Sequence, residues 1–337
     1  MKKTLYISLL ASLVIFGACS TGEAASAAIL QMFGGSSQAL LFINCKVVSE
    51  DEIEFEFSQP VTVKSLNFEP ELAVASIEEG ATVKVTLEES PGPAIEIKTD
   101  ILAEDEGGNT INVLLTFRTR NNRMPRIVIN EIKPETTNPR SEFIEFKILS
   151  EGNIGGMRVV INGNTNAAKE TIFEFLPAEV KTNEYITLHL RTRDPSVSRN
   201  EYGNDLSESG GTDSSPTARD IWMPSNEKLI HKTAAVYLLN QDDDVLDAVM
   251  LSENDASWWA KDYLAETANM LFQQNAWKTP DGKICGPTDS VISGRTTNTR
   301  TICRDETTNN SGTAAVWYVT VTSGATPGKR NNPNRFE

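Results

Sequence analysis

The feature that most constrains the fold is a set of short stretches in which apolar and charged residues alternate. The stretch Ile53–Phe57 reads Ile-Glu-Phe-Glu-Phe, and Val83–Leu87 and Ile95–Lys98 repeat the pattern. An alternation with period two is typical of a strand that has one buried face. Turn residues such as the Pro-Gly-Pro at 91–93 separate the stretches. Short strands at this spacing predict an all-β chain built from β-sandwiches.

The region 40–122 resembles the Ig-like domains of bacteria. The resemblance is carried by the loop Asp105-Glu106-Gly107-Gly108-Asn109, which precedes a strand at Ile111–Phe117, and by the opening Val48–Phe55. It implies an Ig-like β-sandwich whose last hairpin turns at 105–109. A polar break at 121–125 ends in Pro125, which cannot donate to a strand ladder. We therefore expect a second domain from 126 to 337.

The second region resembles the lamin tail domain family. The matching pieces occur in the family's order: Arg126–Pro134, Ser141–Phe146, Gly155–Val159, Glu184–Leu188, Val236–Val249 and the closing Thr326-Pro327-Gly328 with Asn331. This resemblance implies a second Ig-like β-sandwich, which serves as a platform for protein interaction. The fold class that we predict is therefore all-β, with two tandem Ig-like β-sandwich domains.

Two insertions interrupt the second region. The stretch 191–228 is rich in Gly, Pro, Ser and Asp, and we interpret it more readily as a mobile surface excursion than as a functional loop. The stretch 255–276 predicts a helix with Asp255 as N-cap. Trp259, Tyr263 and Met270 recur at near-helical spacing and give it an apolar face. Packing of this face against the sandwich is the more common outcome, and a groove for a partner is the alternative.

The first residues predict export. Lys2 and Lys3 precede the apolar stretch Leu5–Phe16, as in a secretory signal peptide that covers residues 1–18. Gly17-Ala18-Cys19 resembles the lipobox of bacterial lipoproteins, in a relaxed form of the spirochaete type, which implies that Cys19 carries the lipid, such as palmitate. Residues 19–39 are rich in Ser, Gly and Ala and predict a flexible tether. An ordinary signal peptide cut nearby is the alternative.

Three further cysteines follow the lipobox. Cys285 and Cys303 lie close together in a loop-rich region, and exported proteins keep disulfides, so we predict that they pair. Two free thiols are the alternative. Cys45 lies in an apolar stretch, which indicates a buried free thiol.

The chain shows no motif of a known catalytic type. His189 alternates with Leu188 and Leu190 and is expected on the solvent face of a strand. Glu131, Glu142 and Glu145 fall on neighbouring strands. The resemblance to the lamin tail domain family implies that they hold sheet edges or loops, and a role of the paired carboxylates in hydrolysis is the alternative. Asp242, Asp243 and Asp244 crowd one turn, and their repulsion would be relieved by calcium or simply by solvent.

The net charge of −15 makes nucleic acid an unfavourable partner. We predict a non-enzymatic binding or adhesion module that the lipid attaches to the bacterial cell envelope, with the outer membrane as the expected site. Its partner is an unknown protein or extracellular ligand, and no cofactor is expected apart from the calcium considered above. A secreted metal-dependent hydrolase, such as a nuclease or phosphatase, and a structural envelope lipoprotein are the alternative functions. The oligomeric state is left open.

Overall fold

The computed structural model describes residues 39–163, 170–308 and 312–336. The predicted signal peptide, the lipid-bearing Cys19 and nearly all of the predicted tether lie outside the described residues. Contacts divide the chain into two compact units. The first contains the chain up to Pro91 and Glu96–Thr119, and the second contains Gly92–Ile95 and the chain from Arg120 onward.

The first unit is an antiparallel sheet whose strands follow the predicted alternation. They are β1 (Phe42–Val47), β2 (Glu52–Glu69), β3 (Val74–Glu78), β4 (Gly80–Leu87), β5 (Glu96–Asp105) and β6 (Thr110–Arg118), in the order β3-β4-β2-β5-β6, with β1 also paired to β2. The long β2 pairs with β1 and β4 in its first half and with β5 in its second half. Ile53, Phe55 and Val83 are fully buried, as one face of a half-buried strand requires.

The predicted hairpin loop of the first unit is confirmed at 105–109, between the paired strands β5 and β6. The Asp105 carboxylate accepts hydrogen bonds from the backbone N–H of Asn109 at 2.9 Å and from its side-chain amide at 2.8 Å. Gly108 has φ of +79°, a conformation that glycine adopts without steric cost. Asp105 and Asn109 therefore close the loop by hydrogen bonds, and Gly108 supplies the backbone conformation that the turn needs.

The second unit is also mostly β. Its strands are β7 (Ile127–Lys133), β8 (Phe143–Ile148), β9 (Gly152–Asn153), β10 (Arg158–Asn162), β11 (Glu170–Glu174), β12 (Glu179–Val180), β13 (Tyr185–His189), β14 (Arg219–Trp222), β15 (Ala234–Leu239), β16 (Val245–Ser252), β17 (Val291–Ile292), β18 (Ile302–Arg304) and β19 (Trp317–Val319). A six-stranded sheet has the order β14-β13-β8-β7-β18-β19, and a five-stranded sheet has the order β11-β10-β15-β16-β17. Strands β9 and β12 form a separate ribbon.

One apolar core contains side chains from both of these sheets. The six-stranded sheet contributes Ile144, Phe146 and Leu188, and the five-stranded sheet contributes Val236 and Val249, all fully buried. A buried ion pair between Arg304 of β18 and Asp247 of β16 also joins the two sheets. The core therefore lies between the sheets, and each sheet has a second face that points away from it.

The predicted helix exists but begins later than expected. Helix α1 spans Asp262–Gln273, and the residue before it, Lys261, makes no side-chain capping bond. The stretch from Asp255 to Lys261 forms bends and irregular backbone instead of helix. The predicted face residues Trp259, Tyr263 and Met270 are partly buried and pack against the core, which confirms the packing interpretation. The residues of the helix that are buried within the core are Leu264, Ala268 and Leu271. Trp258 is 76% exposed and does not join this face. Among the described residues, no helix is long and apolar enough to cross a membrane.

Candidate functional site

The face of the six-stranded sheet that points away from the core is polar and buried. Directly paired residues of neighbouring strands lie on the same face. One such row crosses the whole sheet from β14 to β19 and consists of Asp220, Thr187, Glu145, Glu131, Cys303 and Tyr318. All of these except Tyr318 are buried. We call this surface the polar face.

Two fully buried carboxylates lie side by side at the centre of the polar face. Glu131 accepts hydrogen bonds from the backbone N–H and the hydroxyl of Thr326, the latter at 2.9 Å. Glu145 accepts from the side-chain amide of Asn130 and from the backbone N–H of Gly328. The segment around Thr326-Pro327-Gly328 is thereby fixed onto the sheet. The expectation that these carboxylates hold a loop is confirmed.

Burial controls the protonation of this pair. Removal from water disfavours the ionised carboxylate and raises the pKa of Glu131 to about 7, although the hydrogen bonds from Thr326 oppose the shift. Burial also raises the pKa of Glu145 well above its ordinary value, and the charge of Glu131 adds to the effect. The two groups therefore keep a proton between them near neutral pH.

A third carboxylate, that of Glu306, lies just after β18 and accepts several hydrogen bonds. It accepts hydrogen bonds from the Lys147 ammonium, from the Tyr185 hydroxyl at 3.0 Å and from the backbone N–H of Asn331 at 2.8 Å. Burial works against ionisation here, but these donors keep the pKa of Glu306 below its ordinary value. Glu306 thus fixes the chain near Asn331 as Glu131 and Glu145 fix it near Thr326 and Gly328.

Glu142 does not join this group. Its carboxylate binds the Arg191 guanidinium, with Nε at 2.6 Å and Nη2 at 2.7 Å from the two oxygens. Of the three glutamates that the sequence placed on neighbouring strands, the structure brings Glu131 and Glu145 together. Glu142 instead holds the beginning of the 191–228 stretch.

His189 occupies the polar face, but the expectation that this face is exposed to solvent is wrong. The residue is fully buried. Its Nε2 lies 2.7 Å from Oδ1 of Asp220, and its ring stacks on Trp222 with centroids 3.7 Å apart. The alternation with Leu188 correctly placed His189 opposite the core. The covering of that face by a distant part of the chain could not be read from a local pattern.

The part of the chain that covers this face is the 191–228 stretch. We expected a mobile surface excursion, but the structure shows an ordered segment with many hydrogen bonds to the rest of the second unit. Arg219 donates to the carboxylate of Glu184 at 2.9 Å and to the carbonyls of Glu179, Glu201 and Gly203. Glu201 accepts from the backbone N–H of Asp220 and from that of Ser209. Strand β14 lies within this stretch and pairs in parallel with β13.

The acidic turn between β15 and β16 receives its counter-charges from arginines. Asp242 forms a bidentate pair with Arg120, at 2.6 and 3.0 Å, and Asp243 pairs with Arg158. Asp244 accepts from the side-chain amide of Asn240 at 2.9 Å. The three carboxylates thus bind separate partners. The described ranges contain no group of three or more acidic, His or Cys side chains arranged to hold a metal ion. The geometry therefore gives the calcium hypothesis no support.

The predicted disulfide between Cys285 and Cys303 is wrong. Both thiols are buried and free, and Cys45 is free as well. Cys285 belongs to the apolar core, where its sulfur accepts a hydrogen bond from Trp277 Nε1 at 3.2 Å. Cys303 lies on the polar face, on the other side of the six-stranded sheet. A disulfide requires side chains that converge, and the Cys303 side chain lies on the face of the sheet opposite the core that contains Cys285.

A family model named TP_1001_2nd and described as a protein second domain matches residues 125–319, more than half of the 337 residues. The chain belongs to this family. The TP_1001_2nd region contains every strand of the six-stranded sheet, from β7 to the end of β19. The segment at 326–331, which the polar face holds, follows the matched region.

Parts of the chain are also similar to two individual proteins. An uncharacterized protein of Treponema pallidum (strain Nichols) is 26% identical over 186 residues, which cover 52% of this chain and 46% of the relative. The match therefore spans somewhat less than half the length of that relative. Among solved structures, the N-terminal part of the bacterial S-layer protein SbsC is 13% identical over 44% of this chain and 42% of the other, with a TM-score of 0.24. A score this low carries no argument about fold or function.

Several residues of the site were not singled out from the sequence. Arg219 and Asp220 begin the short strand β14, Glu306 lies in the loop after β18, and their partners are remote in sequence. The Arg219-Asp220-Ile221-Trp222 segment does not alternate polar and apolar residues, so no period-two pattern marks this strand in the sequence.

Proposed function

We propose that this chain is a non-enzymatic binding module attached to a bacterial cell envelope by a lipid on Cys19. In this proposal the two β units are tandem Ig-like β-sandwiches, and the outer membrane is the expected location. The partner is a protein or an extracellular ligand that the second unit engages through its loops. Loops carried on a rigid scaffold are where binding surfaces are most often found.

The observation that carries the proposal is the anchoring of the 191–228 stretch. Arg219, Glu201 and Asp220 are almost fully buried. Asp220 binds His189 of β13, Arg219 donates to Glu184 and to the carbonyl of Glu179 in the ribbon strand β12, and Glu201 holds the backbone of Asp220. Buried charged groups are costly unless they are fully paired, so their presence indicates a surface that is held in one shape. A pre-ordered surface loses less conformational entropy when it binds, which favours recognition.

The test is site-specific photo-crosslinking in intact cells. A photoreactive amino acid replaces the exposed Glu208 in the 191–228 stretch, and the matched control carries it at the exposed Glu266 of α1. The expected result is a discrete crosslinked species from position 208 that weakens when Arg219→Gln loosens the stretch. Equal labelling from both positions would contradict the proposal.

The lipid anchor has a separate test. Cells fed an alkyne-bearing palmitate analogue should label the wild-type chain and not the Cys19→Ala variant. Labelling of both chains, or of neither, would remove the lipid from the proposal.

The alternative hydrolase function makes the opposite prediction about chemistry. Phosphodiester and phosphomonoester substrates are offered with Mg²⁺, Mn²⁺ or Ca²⁺. We expect no turnover, because Glu145 is buried beneath the 326–328 segment and Asp243 is paired with Arg158. Turnover that Glu145→Gln or Asp243→Asn abolishes would establish the hydrolase instead. A purely structural envelope protein would show no loss of binding when the 191–228 stretch is shortened.

A further inference from the structure

The strands β7 and β18 pair only over the second half of β7. Ile302 lies opposite Ile132 and Cys303 opposite Glu131, and beyond this point the chain after β18 separates from β7. The separation leaves a hollow of about 550 Å³ beside the first half of β7, bounded on the far side by the chain that leads to Thr308. We call this hollow the β7 slot. Every residue that lines it belongs to the second unit.

The backbone of β7 is turned toward the slot at Ile127. Two residues further on, the N–H of Ile129 donates to Asp247 at 2.8 Å and its carbonyl accepts from Arg304 Nε at 2.7 Å, on the side away from β8. The carbonyl of Arg126, by contrast, faces β8, where it accepts from the N–H of Leu149. Because backbone groups of successive residues point to alternate sides of a strand, the N–H and C=O of Ile127 face the slot.

The slot also offers an apolar contact and a polar acceptor. Leu149 and Leu246 line it and remain 37% and 39% exposed. Asn130 lines it too and is fully buried. Its side-chain nitrogen donates to Glu145, while its side-chain oxygen accepts no hydrogen bond from the described part of the chain. Because a buried acceptor is costly without a hydrogen bond, the side-chain oxygen of Asn130 favours binding of a ligand that brings a donor.

The charge at the slot is opposite in sign to that of the whole chain. Three cations, Arg126, Lys147 and Arg304, line it together with the carboxylate of Glu306, so the lining side chains carry a net positive charge. Lys147 is paired with Glu306 and Arg304 with Asp247, whereas Arg126 is exposed and forms no ion pair within the described ranges. Since the chain carries a net charge of −15, a local cation without a partner selects for a carboxylate and guides it to this place.

We propose that the β7 slot binds an extended, acidic segment of a partner protein. The segment adds a short strand at Ile127, places an aliphatic side chain between Leu149 and Leu246, and brings a carboxylate to Arg126. Backbone hydrogen bonds supply affinity in such strand addition, and the alternating side chains supply specificity. The inference rests on the proposed binding function and names the chemistry of the partner.

The experiment selects peptides from a display library of random ten-residue sequences on the full chain in detergent. We expect enriched sequences in which Asp or Glu alternates with Val, Ile or Leu. Their affinity should fall at least tenfold for Arg126→Glu and for Leu246→Ser, since each variant removes one predicted contact. Lys261→Glu, an exposed position that does not line the slot, makes the same charge change and should leave the affinity unaltered. Raising the salt concentration should weaken binding, because the Arg126 contact is exposed.

Three outcomes would overturn the inference. The library yields no enriched sequence, the enriched sequences are basic, or their binding is indifferent to both Arg126→Glu and Leu246→Ser. The crosslinking from position 208 separates this failure from that of the proposed function. If position 208 still captures a discrete species while the slot variants change nothing, the binding module stands and the slot is not its acidic-peptide site.

Discussion

Replacing Glu131 by Gln should change how the stability of the second unit depends on pH. The substitution keeps the shape of the side chain and removes its ability to ionise. In the folded chain the pKa of Glu131 is raised to about 7 by burial, against an ordinary value of 4.5. Folding therefore favours the protonated carboxyl. Its contribution to stability is complete below pH 4.5 and is lost as the pH rises through about 7.

The structure sets the size of this loss. The difference between a pKa of about 7 and one of 4.5 corresponds to about 3 kcal/mol of unfolding free energy. The Gln variant lacks this term. It also removes the Glu131 charge that helps to raise the pKa of Glu145. Ionising Glu145 therefore costs less folding free energy in the variant, which adds to the gain in stability at high pH. Any hydrogen bond to Thr326 that Gln makes less well changes stability equally at every pH.

Urea unfolding at pH 4.5 and at pH 8 measures the effect. All five tryptophans lie in the second unit, at positions 222, 258, 259, 277 and 317, so their fluorescence reports the unfolding of that unit. From pH 4.5 to pH 8, Glu131→Gln should gain about 3 kcal/mol relative to wild type. The matched control is Glu266→Gln, at an exposed position of α1, which should follow the wild-type curve.

A pH dependence that is the same in wild type and in Glu131→Gln would refute the reasoning. It would mean that Glu131 is ionised or hydrated in the folded chain and that the 326–328 segment does not seal the polar face. A gain that appears equally at both pH values would point to altered packing and not to protonation.

Four other predictions follow from contacts of other residues. Gly328→Ala should lower stability by about 2–4 kcal/mol, because φ is +73° and the added Cβ would lie 2.4 Å from Cβ of Ser215; melting monitored by fluorescence checks this, and Gly203→Ala, which enters open space, should be neutral. Arg219→Gln should cost about 3–5 kcal/mol, because it breaks a buried pair with Glu184, and proteinase K should then cut the native chain within 191–228 faster than wild type. Alkylation in denaturant without reductant should modify Cys285 and Cys303 fully, whereas protection of both would restore the disulfide; in the native chain at pH 8 the reaction of Cys45 should be slow, since burial raises its pKa to about 11. Calorimetry with millimolar Ca²⁺ should give no binding heat for the wild-type chain, and heat should emerge only when Arg120→Ala and Arg158→Ala together leave Asp242 and Asp243 without counter-charges.

Local patterns in the sequence were sufficient for the strands of the first unit. Ile53, Phe55 and Phe57 are buried because alternate residues of a strand share a face, and no distant information is needed to see this. The turn at 105–109 was equally local, since Asp105 bonds a residue only four positions away. The helix was recognised by its spacing, but its beginning was misplaced because Asp255 precedes a stretch of bends and irregular backbone that depends on tertiary contacts. One of these contacts joins Trp259 to the carbonyl of Cys285.

The disulfide error and the His189 error both concern spatial neighbours that a local pattern does not show. A sequence shows which residues share a face of a strand, and it does not show what covers that face. Cys285 and Cys303 are close along the chain, but Cys285 lies in the core and the Cys303 side chain lies on the opposite face of the six-stranded sheet. His189 is opposite the core as predicted, but the 191–228 stretch, through Asp220 and Trp222, closes over it.

The sequence by itself determined the all-β character of the chain, the strand phases and the position of Glu131 and Glu145 on adjacent strands, because these depend on the two-residue period of a strand. Only the tertiary structure decided that the second face of the six-stranded sheet is buried. That outcome depends on segments more than a hundred residues apart, as when Thr326 and Gly328 donate to Glu131 and Glu145. The free energy of burying a charged group is fixed by such remote partners, and they have no local signature in the chain.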